Sequence, residues 1–290
     1  MSLSKKKLTL MMMAAVISAA VLTGCTGDAG NDTAVNTDTV SSSQQSESSS
    51  ETADLLSQIR ERGEITIAME GTWAPWTYHD EEDNLVGYDV EVGQAIAEKL
   101  GVEANFVEGE WDGLLAGLDA GRYDIMINGV DITPERMEAY DFSDPYAYNR
   151  TAVIVRGDND TIQSLEDLEG MHTANTISST YAELAEQYGA EVTGVDDLNQ
   201  TFELLLSGRI DATLNAEVTY YDYMNVHLDA DIKIAALTEE ASEVAIPMRK
   251  GEETASLREA INQALAELSE DGTLSTLSEK YFGTDISQNN

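Results

Sequence analysis

The sequence predicts an α/β protein of two lobes around a shared cleft, and three observations predict it. Strand-like and helix-like hydrophobic patterns alternate from residue 53 to residue 282, which argues for layered α/β structure. One stretch occurs twice. Leu118-Asp119-Ala120-Gly121-Arg122-Tyr123-Asp124-Ile125-Met126-Ile127-Asn128 returns as Leu205-Leu206-Ser207-Gly208-Arg209-Ile210-Asp211-Ala212-Thr213-Leu214-Asn215. Each copy reads as the last turn of a helix, a Gly cap, a short buried strand and an Asn where the strand stops. Strand carboxyl ends face the ligand crevice in open α/β sheets, so the two copies place Asn128 and Asn215 at a common cleft, one from each lobe.

The elements follow in order. Residues 53–62 read as a short helix closed by Gly63 and feeding the strand 64–69. Residues 70–76 form a loop at that strand's end, and 78–88 a hairpin-like segment. A helix over 90–100 carries Val92, Ile96 and Leu100 on one face and stops at Gly101. Strand 102–107 precedes the helix opened by Trp111-Asp112-Gly113. Thr133-Pro134-Glu135-Arg136 starts another helix, with Thr as N-cap and Pro in the first helical position. Further on, the pattern gives strands at 152–155, 172–175, 232–237 and 244–248. Helices are expected at 181–188, 196–206, 217–226 and 254–269, with a last one running to Tyr281 after Asp271-Gly272.

The amino terminus reads as a targeting segment. Lys5, Lys6 and Lys7 precede an apolar run from Leu8 to Leu22 that is too short to span a bilayer comfortably. It ends at Leu22-Thr23-Gly24-Cys25, which resembles the bacterial lipobox, so residues 1–24 are expected to be a lipoprotein signal peptide and Cys25 the lipidated first residue. Residues 25–52 are rich in Ser, Thr, Asn, Asp and Gly with little to bury, the composition of a disordered tether.

The net charge of −38 repels nucleic acid and anionic membrane surfaces, so the membrane is met only through the lipid. Cys25 is the single Cys, which excludes a disulfide framework and a Cys-based metal site. There is no G-x-S-x-G, phosphate loop or zinc spacing, and His79, His172 and His227 stand isolated. No catalytic residue, metal or cofactor is implied.

From Glu64 to Gly283 the chain resembles the polar-amino-acid family of bacterial ABC-transporter solute-binding proteins. The resemblance rests on Leu85-Val86-Gly87-Tyr88-Asp89-Val90 with Ala95-Ile96-Ala97, Trp111-Asp112-Gly113-Leu114, Ile132-Thr133-Pro134-Glu135-Arg136 and Tyr140-Asp141-Phe142-Ser143-Asp144-Pro145-Tyr146. It continues through Ser164-Leu165-Glu166-Asp167-Leu168-Glu169-Gly170, Gly208-Arg209-Ile210-Asp211-Ala212, Asp271-Gly272-Thr273-Leu274 and Tyr281-Phe282-Gly283. It implies a two-lobed clamp of the periplasmic-binding-protein type with two hinge crossings. Lobe 1 would be residues 53–148 and 243–290, and lobe 2 residues 149–242. The implied function is capture of a free amino acid and delivery to ABC permease subunits, by a monomer held on the outer face of the cytoplasmic membrane through Cys25. Glu70-Gly71-Thr72 and the segment 277–283 look most like the cystine-binding branch.

Position by position, the resemblance makes Arg136 the grip on the ligand's α-carboxylate, a role suited to a guanidinium's paired donors. Main-chain groups around Asn128 and Gly129 would bind the α-amino and carboxylate groups. Ser179 and Thr180 would offer donors at a helix N-terminus of lobe 2. Trp73 and Trp111 would wall the side-chain pocket, with core packing as the rival role, and packing is the expected role of Trp76. Glu70 and Thr176 would tune side-chain choice.

Two positions depart from the family pattern. Ala216 stands where an ammonium-binding Asp is usual, and Asp131 where Ser or Thr is usual. A desolvated ammonium needs a counter-charge, so Asp131 is expected to supply it, with Glu217 as the alternative. Two other function classes stay open on sequence alone. One is a dehydratase on the same fold, using Glu70 or Glu217. The other is a ligand-sensing domain of a receptor, disfavoured because no transmembrane helix follows the clamp.

Overall fold

The computed structural model describes residues 54–289. The signal peptide, Cys25 and the tether read from the sequence lie outside the described residues. Two parallel-centred sheets organise the rest. In the first, strand Glu64–Met69 lies between Glu103–Glu108 and Ile125–Met126, parallel to both. In the second, the order is Glu191–Gly194, His172–Asn175, Ala212–Ala216, Thr151–Arg156 and Ile232–Leu237, with Thr151–Arg156 antiparallel to both of its neighbours.

Each sheet is covered on both faces, as a sheet with parallel strands requires. Ile65, Ile67 and Met69 pack under the helices Tyr88–Leu100 and Ala255–Glu270, while Ala68 and Met126 pack with Trp111, Leu114 and Leu118 on the other side. In the second sheet Ala152 and Ile154 meet Phe202 and Leu205, whereas Val153 and Val155 face Ile162 and Leu168. This is the two-residue period of a strand buried on both faces. The chain passes from one sheet to the other between Ala147–Asn149 and Thr151–Arg156. It returns between Ile232–Leu237 and Ser242–Val244, and Ser242–Val244 pairs with Ala147–Asn149. Two lobes therefore share two adjacent crossings.

The internal repeat is repeated structure. Gly121 and Gly208 both sit at positive φ, 69° and 70°, the left-handed turn that lets the helix stop and the strand begin. Asp124 accepts from the Thr66 backbone N–H at 2.7 Å, and Asp211 accepts from that of His172 at 3.0 Å. An arginine from elsewhere completes each copy: Arg249 donates to the Tyr123 carbonyl and Arg156 to the Ile210 carbonyl.

Three elements differ from the sequence expectation. The strand read over 244–248 is two short strands, Ser242–Val244 and Pro247–Arg249, because each pairs with a different partner, Ala147–Asn149 and Tyr140–Phe142. The hairpin-like segment belongs to a three-stranded sheet formed by Thr72–Trp73, Thr77–His79 and Leu85–Val86. Glu191–Gly194 is an edge strand with a largely exposed, polar sequence, which hides the alternation by which strands are recognised.

Candidate functional site

A cavity lies between the two sheets, at the carboxyl ends of strands from both. From the first lobe it is walled by Glu70, Thr72, Trp73, Trp111, Gly129, Asp131 and Arg136. From the second come Asn175, Thr176, Ser179, Thr180, Tyr181, Asp197, Leu198, Thr201 and Asn215. Direct hydrogen bonds bridge the two sides. Trp73 Nε1 donates to Asn215 Oδ1 at 3.3 Å, Trp111 Nε1 to the Ser178 carbonyl at 3.3 Å, and Thr180 Oγ1 to Asp131 Oδ2 at 2.6 Å.

Arg136 is placed by its helix. Thr133 caps Pro134–Ala139, accepting from the Arg136 backbone N–H at 3.1 Å, and Pro134 fixes the first turn. The side chain is buried, with its guanidinium 5.1 Å from the centroid of the Trp111 ring. Its Nη1 donates to the Asp131 carbonyl at 3.1 Å and its Nη2 to the Ser178 carbonyl at 3.4 Å. Among the described residues no carboxylate lies within ion-pair distance of it. The site thus holds a desolvated cation with donors to spare, facing a cavity. Ser179, the N-cap of Thr180–Gln187, sits opposite and donates to the Thr176 carbonyl at 2.6 Å.

Asp131 is buried beside it. Oδ1 accepts from Ser242 Oγ at 2.7 Å and Oδ2 from Thr180 Oγ1. Burial pushes its pKa up, against the hydroxyl donors and the nearby Arg136 charge. Gly129 brings the loop between Asn128 and Asp131 close to an aromatic wall. Its φ is +56°, and a Cβ there would stand 2.6 Å from the Trp73 ring. Trp73 in turn stacks on Trp76 with centroids 5.4 Å apart and meets the Tyr181 ring edge-on at 6.4 Å. Trp76 is fully buried in the core. Trp111 has both roles weighed for it, packing on Leu114 and Leu118 while walling the cavity.

Glu70 is held by a residue behind it. Asn128 accepts from the Glu70 backbone N–H at 2.8 Å and donates to Glu70 Oε2 at 2.7 Å. Burial raises the Glu70 pKa, partly offset by that donor, and the charge of Asp197 raises it further. Asn215 is buried and accepts from Trp73 and from its neighbour's N–H, Ala216.

The structure therefore brings Glu70, Trp73, Trp111, Gly129, Asp131, Arg136, Thr176, Ser179, Thr180 and Asn215 to one cavity. Asn128 is not on its wall; it orients Glu70 from below. Glu217 is not there either. It turns to the hinge side, where Arg150 Nε and Nη2 donate to Oε2 at 3.0 and 2.8 Å. Sequence reasoning missed Thr72, Asn175, Tyr181, Asp197, Leu198 and Thr201. Asn175 ends its strand just as Asn128 and Asn215 do, so the strand-end rule could have found it. Asp197 carries an N-cap signature that explains it locally and conceals its place at the cavity.

Chemically, the arrangement offers a carboxylate-gripping cation, carboxylates for cationic groups, and aromatic walls. Among the described residues no group of three or more His, Cys, Asp or Glu is placed to hold a metal ion.

Residues 65–284 match the model for bacterial extracellular solute-binding proteins, family 3. Over 285 residues, 98% of this chain and 100% of the relative, the sequence is 38% identical to the L-cystine-binding protein TcyA of Bacillus subtilis (strain 168). An ancestral arginine-binding protein bound to arginine is similar in structure, with a TM-score of 0.72 at 37% identity over 77% of this chain and 99% of that one. The L-cystine solute receptor of Neisseria gonorrhoeae, in its unliganded open conformation, is 40% identical over 81% of this chain and 100% of that one, with a TM-score of 0.57.

Proposed function

The chain belongs to family 3 of the bacterial extracellular solute-binding proteins, and from that premise we propose that it captures a free amino acid between its two lobes and delivers it to the permease of an ABC importer. The observation that carries this reading is Arg136, a buried guanidinium facing the cavity with no carboxylate partner among the described residues. A desolvated cation is costly unless paired, and a ligand carboxylate supplies the pair with bidentate geometry. The backbone N–H groups at the N-terminus of the helix Thr180–Gln187 add donors from the opposite lobe, the hydroxyls of Ser179 and Thr180 being given to the Thr176 carbonyl and to Asp131. Asp131, buried between Thr180 and Ser242, is the counter-charge for the α-ammonium. Glu217 is set aside for that role because its carboxylate is taken up by Arg150.

The hydrogen bonds across the cleft identify the described arrangement as the closed form. The TM-scores support this, since the arginine-bound protein superposes better than the open receptor despite its slightly lower identity. Closure then requires contacts made only when both lobes meet, which is how a ligand shifts the open–closed equilibrium. TcyA is a binding protein, and Glu70 and Glu217 are each engaged by a neighbour, so neither is offered as the acid of a dehydratase.

The protein works on this reading as a monomer, tethered by residues 25–52 and anchored on the outer face of the cytoplasmic membrane through a lipid on Cys25. Cystine leads the candidate ligands by likeness to TcyA. A thermal-shift screen of the purified protein against all proteinogenic amino acids and L-cystine tests the proposal. At least one compound should raise the melting temperature in a concentration-dependent way. No shift with any of them, confirmed by calorimetry, would refute it.

A further inference from the structure

Among the described residues two that are not glycine have a positive φ. One is Asp83, at a hairpin tip between Thr77–His79 and Leu85–Val86, an acid of the type that tolerates that conformation. The other is Ser178, at 63°, between Thr176 and Ser179 on the cavity wall. The Ser179 backbone N–H donates to the Thr176 carbonyl at 3.3 Å, closing a four-residue turn with Ser178 in its third place. A turn with positive φ in that place ordinarily takes Gly or Asn there. Ser178 offsets none of this strain with its own side chain, which is exposed and makes no hydrogen bond among the described residues. Strain of this kind persists where the surroundings over-determine it, and it clusters at ligand clamps and switches.

The groups that hold Ser178 come from the other lobe. Its carbonyl accepts from Trp111 Nε1 at 3.3 Å and from Arg136 Nη2 at 3.4 Å. These donors already face each other, with the guanidinium over the indole ring at 5.1 Å, so one carbonyl ties both members of the pair. Arg136 Nη1 is taken by the Asp131 carbonyl, which leaves further N–H groups of the same guanidinium for a ligand. Within its own lobe the turn is placed by Ile177, whose side chain lies over Gly194. A Cβ on Gly194 would stand 2.7 Å from Ile177 Cγ1.

We infer that Ser178 is the latch of the clamp, a positioning residue whose left-handed turn is adopted when the lobes meet and released when they part. The inference rests on the amino-acid reading above. In the closed form the Ser178 carbonyl holds the guanidinium at one corner, so a ligand carboxylate meets a cation already oriented. When the lobes part, Trp111 and Arg136 withdraw, nothing offsets the strain, and the turn relaxes to a negative φ. The strain therefore opposes closure while the bonds across the cleft favour it, which leaves the ligand to tip the balance.

The test reads affinity and release against the stability of the ligand-free protein. The purified full protein and its Ser178→Gly and Ser178→Val variants are titrated calorimetrically with each proteinogenic amino acid and L-cystine, and release of the tightest-binding probe is timed by stopped flow. Gly enters the left-handed region freely and a β-branched residue does not, so affinity should fall in the order Gly, Ser, Val, with about tenfold or more between the ends. Most of the difference should lie in the release rate. The ligand-free proteins should melt within about 2 °C of one another, because the open form does not use the strained turn. Gly and Val variants that bind within about threefold of each other would overturn the inference and leave the amino-acid reading standing. So would melting temperatures that spread in the order Gly, Ser, Val without ligand at unchanged affinity, the mark of a turn that is left-handed in both forms. Binding of no probe by the wild type would overturn the amino-acid reading and the inference with it. Should the Val variant fail to fold, Ser178→Ala replaces it and should bind about threefold or more weaker than Ser178→Gly.

Discussion

The backbone N–H of Gly129 donates to Asp89 Oδ2 at 2.6 Å, so a completely buried carboxylate anchors the loop that lines the cleft. Tyr146 donates its hydroxyl to the other oxygen of the same carboxylate at 2.7 Å, and Tyr88 donates to the Tyr146 carbonyl at 3.1 Å. Three residues of the family's sequence pattern thereby hold a fourth, Gly129, against Trp73.

Asp89 makes stability depend on pH in an unusual direction for an acid. Burial pushes its pKa up to about 7, against the pull of the Tyr146 and Gly129 donors. The folded protein therefore holds this proton more tightly than the unfolded chain. The contribution is fully present below the ordinary carboxylate value near 4 and is lost as pH rises through 7. Asp89→Asn should flatten the decline in unfolding free energy between about pH 5 and 7. Denaturant melts of both proteins at several pH values would check this, and parallel curves would count against it.

Arg136→Ala should remove measurable amino-acid binding and leave the fold in place. Taking away one partner of a desolvated charged pair costs about 2–5 kcal/mol, roughly a 30- to several-thousand-fold loss of affinity. Calorimetry with circular dichroism as the fold control measures both halves. An affinity within threefold of wild type would exclude Arg136 as the carboxylate grip.

Asp131→Asn and Glu217→Gln should separate cleanly. The first leaves a ligand ammonium desolvated beside a neutral amide, so it should weaken an amino acid strongly and its des-amino analogue little. The second breaks a partly exposed pair with Arg150 on the hinge side, and should change ligand affinity less than threefold. Titration of both ligands into both variants provides the test. The reverse pattern would return the ammonium to Glu217.

Cys25→Ser should release the protein from the membrane fraction. On the proposed reading, lipid attachment at Cys25 is the membrane anchor, and the substitution removes the sulfur that would carry it. Cell fractionation with immunodetection reads the outcome. A variant that stays with the membrane would rule out lipid anchoring at this position.

The order and type of the main elements could be read in the sequence because they depend on neighbours a few residues apart. The caps at Gly63 and Gly101, the Thr133-Pro134 helix start and the repeat ending at Asn128 and Asn215 are local signals, and local physics settles them. They put Asn215 at the cavity and Asn128 just behind it, while the other nine expected residues that line it were implied by the family resemblance and its departures. Tertiary structure alone decided which way the side chains at its rim turn. Glu217 follows Ala216 directly, yet it leaves the cavity because Arg150, distant in sequence, draws it to the hinge. Asn128 ends its strand as expected but is used beneath Glu70. Asn175 ends its strand and Asp197 caps its helix, and both line the cavity because those ends of their lobe face the cleft. Asp89 belongs to the family pattern in the sequence, but its burial does not show there: the packing of Tyr146 and Gly129 around it takes it out of water. The sequence determined the lobes and their strand ends through short-range periodicity and capping. The partner, burial and charge state of each polar group were decided by contacts between segments far apart in the chain.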